Sequence, residues 1–394
     1  MSESAISRRD ALKVSSAALA TLLSAMNSPG FAFPGEEAKE ELVPFLDMPP
    51  AKPNMLDWET LDSWITPQDQ VFSVSHYNEP EVDPAKFRLE VTGLVDKPKT
   101  FTLDELKALP AEERLMTLEC SGNGAGKGFI GAVYNSKWTG VPLAAVLKAA
   151  GVKPSAKEIV FFGVDKQNET LRKGTPREVT VEVPFGRSMS VDDASNPNII
   201  VAYARNGEPL EKRNGAPLRL IVPGWYGIAN VKWLHRIEVR DRRYMGRFMG
   251  RDYVTVRGEM QNNEVVFVES SVTRMNLKSI VARITRKETA NGMIPLKAYG
   301  AAWGDGTEIA RVEVKIDDGP WREAVLDKEP KSKYCWRFFS IDLGNRPAGK
   351  HVVVSRAVDA NGRFQPSASD DEILLKKTYW EAYQQWPREI ELKA

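Results

Sequence analysis

Cys120 is one of two cysteines in the 394-residue sequence, and its neighbours are unusual for a core cysteine. It follows the apolar run "LMTLE" and precedes Ser121–Gly124, which reads "SGNG". Small residues let a bulky group approach the backbone closely, and a thiolate is a soft metal ligand. By residue type alone a free core cysteine is the commoner role, so both interpretations stand at this point.

Other metal-binding patterns are missing from the sequence. The three histidines, His76, His235 and His351, are scattered and form no paired motif. Two cysteines cannot form a cysteine-rich iron–sulfur site, and no C-x-x-C-H haem motif occurs. We expect no disulfide between Cys120 and Cys335, because they fall in different predicted domains.

The first 32 residues read as an export signal. Arg8 and Arg9 stand in an S-R-R-x-x-L-K context, and an apolar stretch and small residues follow. The stretch is too short to span a bilayer as a mature helix. The paired arginines predict the twin-arginine route to the periplasm; an ordinary secretory signal or a disordered basic tail are the alternatives.

The elements around Cys120 predict an α+β domain over residues 33–260. After an extended, Pro-rich arm, "FRLEVTGLV" alternates as a strand does. Thr102 is the expected N-cap of a short helix stopped by Pro110, and Val141–Gly151 reads as a helix ending at a C-cap glycine. Further apolar runs, such as "EIVFFGVD", "LRLIVPG" and "VKWLHRIEVR", predict strands.

Residues 261–394 predict an all-β, immunoglobulin-like sandwich. Period-2 runs such as "RVEVKI" and "HVVVSRAVD" are joined by Asp-Gly and Asn-Gly turns with almost no helical pattern. Trp321 and Trp336 suggest exposed aromatics at an interface, or else they fill the core of this domain. The aromatic tail "TYWEAYQQW" is expected to dock on a core or a partner.

The charge balance excludes some partners. The sequence has 54 basic and 53 acidic residues, a formal net charge of +1. It therefore predicts neither general nucleic-acid binding nor binding to anionic membranes, and we expect no stable membrane anchor.

Several motifs together resemble the sulfite oxidase family of molybdenum enzymes. They are "FRLEVTGLVDKPKTFTLDEL", "TLECSGN", "WTGVPLAAVL", "AYARNGEPL", "APLRLIVPGWYGIANVKWLHRIEV", "RVEVKIDDGPW" and "RAVDANGRFQP". They occur in the family's order across nearly the whole chain after the signal. The resemblance implies a molybdopterin domain followed by an immunoglobulin-like dimerisation domain.

The resemblance also implies roles for individual residues. Cys120 matches the single protein ligand to molybdenum, whose other sulfurs come from a pyranopterin. The positions expected to contact this cofactor are His76, Asp165, Asn214, Arg219, Asn230, Val231 and Lys232. Asn214 stands where sulfite oxidases usually carry histidine. For Arg219 and Lys232, charges at a strand edge are the alternative.

Tyr253, Arg251 and His76 are the expected catalytic residues. Tyr253 matches a tyrosine near the metal that can orient substrate and pass protons; a packed strand aromatic is the alternative. Arg251 would share its strand face if the strand were regular, and Tyr203 is expected in the core. Val74 stands where sulfite oxidases carry a substrate-binding arginine, and losing a guanidinium weakens binding of a small dianion.

The resemblance implies a periplasmic oxidoreductase that takes two electrons from sulfite or a related sulfur oxyanion. Because the sequence has no haem motif, we expect an external acceptor such as a c-type cytochrome. The second domain is expected to form a homodimer. One alternative is an S-oxide reductase using the same site, and another is an exported, non-enzymatic binding protein in which Cys120 is inert.

Overall fold

The computed structural model describes residues 33, 40–47, 52–61, 63–126, 128–288, 292–328 and 332–393. The predicted export signal, residues 1–32, lies outside the described residues. Within the described part of the chain, no helix is both long enough and apolar enough to cross a membrane.

The described residues form mostly β-structure. Up to residue 271 the strands are β1 (Glu41–Leu42), β2 (Arg88–Gly93), β3 (Lys99–Thr102), β4 (Glu112–Glu119), β5 (Val133–Pro142), β6 (Glu158–Leu171), β7 (Val179–Ser190), β8 (Ile200–Arg205), β9 (Glu208–Pro209), β10 (Arg219–Ile221), β11 (Leu234–Arg240), β12 (Val254–Gln261) and β13 (Glu264–Ser271). The remaining strands are β14 (Lys278–Arg286), β15 (Ile294–Trp303), β16 (Ile309–Ile316), β17 (Arg322–Glu323), β18 (Val325–Leu326), β19 (Arg337–Arg346), β20 (Gly349–Asp359) and β21 (Arg388–Leu392).

The helices of the described residues are short. The α-helices are α1 (Leu103–Lys107), α2 (Leu143–Ala150), α3 (Val191–Ala194), α4 (Arg247–Gly250) and α5 (Asp371–Leu374). Single 3-10 turns cover Trp58–Thr60, Gln68–Gln70, Lys212–Asn214 and Gly227–Ala229. The first domain is therefore more β-rich than the predicted α+β class, because its longest described helix has eight residues and strands supply most of its layers.

The first domain contains two five-stranded sheets. One has the order β3-β2-β11-β6-β7, in which β11 pairs parallel with β2, and its other pairings are antiparallel. The second has the order β10-β8-β5-β4, with β9 added to β8. Apolar residues of both sheets share one large core cluster. The hairpin β12–β13 forms a separate two-stranded sheet, and the predicted boundary at residue 260 falls within this hairpin.

The second domain is a sandwich of two antiparallel sheets. Their orders are β1-β14-β15-β19-β18 and β17-β16-β20-β21. Inward-facing residues such as Ala298, Val312, Phe339 and Val353 fill the space between them. The arm before the first domain belongs to this sandwich, because Glu41 and Leu42 pair with β14 and Phe45 packs in its core.

Local sequence signals located the N-cap of α1 and the C-cap of α2, whereas the predicted start of α2 at Val141 is wrong because Val141 and Pro142 end β5. Thr102 caps α1 with a full capping box: its hydroxyl accepts from the Glu105 amide, and Glu105 accepts from the Thr102 amide. Gly151 ends α2 at φ +71°, the left-handed conformation that favours glycine.

The two tryptophans of the second domain, for which an interface role and a core role were both open, have different environments. Trp336 is fully buried and packs against Trp58 at 5.7 Å between ring centroids, so it belongs to the core and not to an exposed face. Trp321 is half-buried, with the Arg356 guanidinium 4.2 Å from its ring centroid. Alternation along a strand does not show which of its two faces meets the other domain. Here Trp336 lies on the face that packs against residues before the first sheet, such as Trp58.

The aromatic tail docks on the first domain. The Glu381 amide donates to the Ser121 carbonyl at 2.7 Å. Trp380 stacks on Tyr253 at 4.3 Å between ring centroids. The side chain of Gln384 donates to the Gly124 carbonyl at 3.0 Å. The tail therefore covers the loop that carries Cys120.

Candidate functional site

A cavity that opens to solvent lies between the two sheets of the first domain, with about 650 Å³ of empty space when the solvent at its mouth is included. Its walls come from strands of both sheets and from the loops and turns between strands. The lining residues are Phe72, Ser73, Val74, Ser75, His76, Cys120, Ser121, Tyr134, Asp165, Phe185, Asn214, Arg219, Gly227, Ile228, Asn230, Lys232 and Tyr253. The fold thus brings Cys120 and most of the predicted site residues to one place.

Cys120 directly follows β4, at the start of a tight turn. Its amide donates to the Ala132 carbonyl at 2.9 Å, and its carbonyl accepts from the Asn123 amide at 2.9 Å. The side chain is half-buried, and burial raises the pKa of its thiol. A free thiol in this position is uncharged at neutral pH, and binding of a cation would be needed to deprotonate it.

Asp165 faces the cavity because β6 is irregular at this point. The β6–β7 register shifts between Phe162 and Lys166, and the intervening Val164 amide donates instead to the Trp233 carbonyl at 3.0 Å. Such a bulge redirects side chains away from the regular alternation. Burial raises the pKa of Asp165 to about 7.

Arg219 lies at the bottom of the cavity, buried at the start of β10. Its two Nη atoms donate to the carbonyls of Asn214 and Asn230, each at 3.0 Å. Its guanidinium lies 4.7 Å from the Trp138 ring centroid. All these partners are neutral, and burial lowers the pKa of Arg219. Arg219 is therefore not the strand-edge surface charge that the sequence left open.

Lys232 is the second cation of the cavity. Its Nζ donates to the hydroxyls of Ser75 at 2.8 Å and Ser73 at 3.3 Å, and to the Arg213 carbonyl at 3.0 Å. Burial, and then the charge of Arg219, lower the pKa of Lys232 to about 7. The two serines flank Val74, the position at which the family carries an arginine. Lys232 therefore hydrogen-bonds to the segment that lacks this arginine.

His76 and Tyr253 line the cavity as a contacting pair. Tyr253 Oη lies 3.0 Å from His76 Nε2, and the imidazole stacks on Phe248 at 4.9 Å between ring centroids. Burial, and then the charge of Lys232, lower the pKa of His76 to about 4. Burial raises the pKa of Tyr253. Both groups are neutral near pH 7.

The remaining predicted cofactor contacts divide into two kinds. Asn214 and Asn230 line the cavity and present their carbonyls to Arg219. The Asn230 side chain accepts from the Val222 amide at 2.8 Å and so fixes the turn itself. Val231 does not line the cavity; it is buried in the core, and its carbonyl accepts from the Leu220 amide.

Arg251 is not placed as the sequence suggested. It follows α4 as its C-cap, and β12 begins only at Val254, so strand alternation does not relate Arg251 to Tyr253. Its guanidinium donates to Glu169 at 2.8 Å, and it is absent from the cavity lining. Arg251 pairs with Glu169 outside the cavity.

Several lining residues were missed by the sequence analysis. Ser121 could have been found, since it follows Cys120 in the loop of small residues. Phe185 and Ile228 reach the cavity from β7 and from the turn at Gly227–Ala229. Their apolar runs look like any other core segment, so no sequence signal distinguished them.

The cavity has the donor set that a molybdopterin requires. Three buried polar atoms of its lining, Arg219 Nε, Asp165 Oδ1 and Ser121 Oγ, have no hydrogen-bond partner among the described residues. Orphaned buried groups of this kind call for a bound partner. A pterin and its phosphate carry both donors and acceptors, and the buried Arg219 and the half-buried Lys232 suit an anion. The described residues contain no cluster of three or more His, Cys, Asp or Glu suited to a metal ion, and Cys120 is the cysteine that lines this cavity.

Comparison with known proteins agrees with this geometry. The oxidoreductase molybdopterin-binding domain family matches residues 76–248. The Mo-co oxidoreductase dimerisation domain family matches residues 269–380.

Similar proteins extend over both domains. Mitochondrial sulfite oxidase of Drosophila melanogaster is 31% identical over 352 residues, which cover 82% of this chain and 59% of that protein. The human enzyme is 30% identical over 77% of this chain and 58% of its own length. This chain thus spans less than two thirds of these relatives. The solved structure of the sulfane dehydrogenase SoxCD from Paracoccus pantotrophus gives a TM-score of 0.70 at 26% identity and covers 90% of both chains.

These matches confirm the family and the molybdenum cofactor that the motifs around Cys120 predicted. The cavity provides one cysteine thiol, two basic side chains and unpaired polar atoms, and the similarity to the Drosophila enzyme covers 82% of this chain. The chain belongs to the sulfite oxidase family of molybdopterin-dependent oxidoreductases.

Proposed function

We propose that this protein is a periplasmic molybdenum-dependent dehydrogenase that oxidises sulfite or a related sulfur compound. One observation carries the proposal: Cys120 opens into a cavity that also holds the neutral Tyr253–His76 pair and two basic side chains, Arg219 and Lys232, whose hydrogen bonds go to carbonyl and hydroxyl oxygens. When bound through Cys120, the cofactor would supply two-electron redox chemistry with oxygen-atom transfer.

The chain's own residues would divide the remaining tasks. Arg219 would hold the anionic part of the cofactor, because its guanidinium is buried against neutral carbonyls and keeps Nε free. Asp165 and Ser121 would each contribute one unpaired oxygen to the pterin. Tyr253 would orient the substrate through its hydroxyl and hold a proton with His76 Nε2 as its neighbour.

The net charge of the preferred substrate depends on which cations line the cavity. Val74 lines the cavity in place of an arginine, so a small dianion would lose a bidentate contact. Lys232 lies nearby through Ser73 and Ser75 and would offer a weaker point charge. We therefore expect measurable but weak sulfite oxidation. A substrate of lower charge would suit the site better, and the structurally similar SoxCD is named a sulfane dehydrogenase.

The proposal also includes an electron acceptor, a periplasmic location and a homodimer. The sequence has no haem motif, so single electrons would pass to a c-type cytochrome. Arg8 and Arg9 support twin-arginine export. The immunoglobulin-like second domain would form a homodimer, in line with the dimerisation domain matched at residues 269–380.

A second function uses the same site in the opposite direction. Reduction of an S-oxide is favoured by the neutral wall of Val74, His76 and Tyr253, because an S-oxide carries no net charge to neutralise. Steady-state assays distinguish the two functions. Oxidation is measured with sulfite or glutathione persulfide as substrate and ferricyanide as electron acceptor, and S-oxide reduction is measured with a viologen as electron donor. Robust S-oxide reduction without sulfur oxidation would replace the first proposal with the second.

Metal analysis tests both enzymatic functions together. Protein purified from molybdate-supplied cells should contain close to one molybdenum per chain. Cys120→Ser should abolish turnover and leave the fold intact, because a hydroxyl is a much poorer soft-metal ligand than a thiolate. A wild-type protein with almost no molybdenum would contradict both functions and favour a binding protein with an inert Cys120.

A further inference from the structure

A buried carboxylate lies directly beneath the loop of Cys120. Glu119, the last residue of β4, has no exposed surface. Its Oε1 accepts from Lys278 Nζ at 2.5 Å and from Asn123 Nδ2 at 2.9 Å. Its Oε2 accepts from Trp303 Nε1 at 2.9 Å. Three donors thus fix both oxygens of one carboxylate.

Two of these donors come from the second domain. Lys278 begins β14 and Trp303 ends β15, and the two residues face each other as a cross-strand pair. One cross-strand pair of the second domain therefore binds the Glu119 carboxylate of the first domain. The lysine side chain is 7% exposed and the glutamate side chain 0%, so the ion pair is screened little by solvent.

The same lysine also holds the loop itself. Lys278 Nζ donates to the Asn123 carbonyl at 3.0 Å. Asn123 in turn accepts from the Ala132 amide through its side chain at 3.0 Å, and its own amide donates to the Cys120 carbonyl. Every polar atom of Asn123 is therefore engaged, and the turn from Cys120 to Asn123 has little freedom.

We propose that Lys278 and Trp303 of the second domain are positioning residues for Cys120. They act through Glu119 and Asn123, and they fix the direction in which Sγ enters the cavity. This inference rests on the proposed function, in which Cys120 binds molybdenum. A paired and fully hydrogen-bonded buried charge is rigid because breaking any contact leaves another group unsatisfied. The second domain would then set the geometry of the metal ligand in addition to any role in assembly.

If this is so, the second domain affects the geometry of the Cys120 loop in the first domain. An activity assay alone would not distinguish this effect from a loss of stability or of cofactor. A purely structural ion pair would affect stability and cofactor loading but would leave the loaded site normal. A positioning pair would change the site itself, because groups that hold a metal ligand orient it and tune the metal, and the Mo(V) electron paramagnetic resonance spectrum would report such a change.

Three variants and one control test the proposal. Trp303→Phe removes one donor and keeps an aromatic ring. Lys278→Met removes the charge, and Lys278→Met combined with Glu119→Gln removes both charges at similar volume, which guards against failure to fold. The control is Arg274→Gln, which breaks the 2.7 Å ion pair between Arg274 and Asp193 away from the loop.

Two measurements are made on each protein. In cofactor-free protein, the alkylation rate of Cys120 by iodoacetamide is followed by site-resolved mass spectrometry, with the buried Cys335 as internal reference. In loaded protein, molybdenum per chain and the Mo(V) resonance spectrum are recorded. We expect several-fold faster alkylation and shifted g values in the Trp303 and Lys278 variants, and wild-type behaviour in the control.

The outcomes separate this inference from the proposed function. Loaded variants with a wild-type spectrum and an unchanged alkylation rate would overturn the positioning role and leave the function standing. A wild-type protein without molybdenum would overturn the function, whereas the alkylation rates would still report on the loop. Equal effects in the Arg274 control would show general loosening between domains and would also overturn the inference.

Discussion

Tyr253 and His76 are 177 residues apart in sequence, and Tyr253 Oη lies 3.0 Å from His76 Nε2. Each ring is also fixed by stacking: His76 packs on Phe248 and Tyr253 on Trp380, the latter at 4.3 Å between centroids. The pair is therefore rigid, neutral and directed into the cavity.

Removing the phenol should slow catalysis without loss of fold. In Tyr253→Phe the ring and its stack on Trp380 remain, but the hydroxyl is lost. We expect kcat to fall by roughly a hundred-fold, the usual scale for a group that passes protons, with molybdenum content unchanged. Tyr203→Phe, at a half-buried residue outside the cavity lining, is the matched control. Wild-type kcat in Tyr253→Phe would show that the hydroxyl is only structural.

Restoring an arginine at Val74 should improve sulfite binding. Val74 is 49% exposed, so a longer side chain has room at this position. A hydrogen bond to a charged group contributes about 1.5–3 kcal/mol, which corresponds to roughly ten- to a hundred-fold in KM. Steady-state sulfite oxidation by Val74→Arg checks this, with Val74→Met as the neutral control of similar length. A wild-type KM already in the low micromolar range would mean that another cation, such as Lys232, binds the anion.

His76 should make the cofactor-free protein less stable in acid. Its pKa is about 4 in the folded protein and about 6.5 when unfolded. Between these values the unfolded chain takes up a proton that the folded chain does not, so stability falls as pH drops from 6.5 to 4. His76→Gln should lose less stability over this window, by on the order of 1–2 kcal/mol given partial exposure of the ring. Urea unfolding at several pH values measures the difference, and identical pH slopes would contradict it.

Export should depend on the paired arginines. Arg8→Lys combined with Arg9→Lys preserves charge and removes both guanidiniums, which the twin-arginine route recognises. We expect the protein to accumulate in the cytoplasm, as measured by cell fractionation and immunoblotting. Unchanged periplasmic yield would count against this route and favour an ordinary secretory signal.

The protein should be a homodimer at micromolar concentration. The dimerisation domain matched at residues 269–380 supports this prediction. Of the two tryptophans that suggested an interface, Trp336 is buried in the core and gives no support. Multi-angle light scattering should give about twice the mass of one chain. A mass at or slightly below 44.0 kDa, that of the full chain, would reject the dimer.

Some features of the fold and site were predicted from the sequence because they depend on residues close together in the chain. The N-cap Thr102 and the C-cap Gly151 each make their contacts within one turn of helix. The loop of small residues after Cys120 is likewise a local pattern. The family's motifs then placed Asp165, Arg219 and Lys232 at the same cavity, where the structure brings them together.

Other features were decided by contacts between distant residues. Arg251 is the C-cap of α4 and not part of β12, so it does not share a strand face with Tyr253. The irregularity in β6 turns Asp165 toward the cavity. Packing between domains buried Trp336 and placed Lys278 and Trp303 on Glu119. Sequence periodicity shows that a strand has two faces, but which partner covers each face depends on tertiary packing. For this reason the sequence determined the family and the loop of small residues after Cys120, whereas only the tertiary structure showed what holds that loop in place.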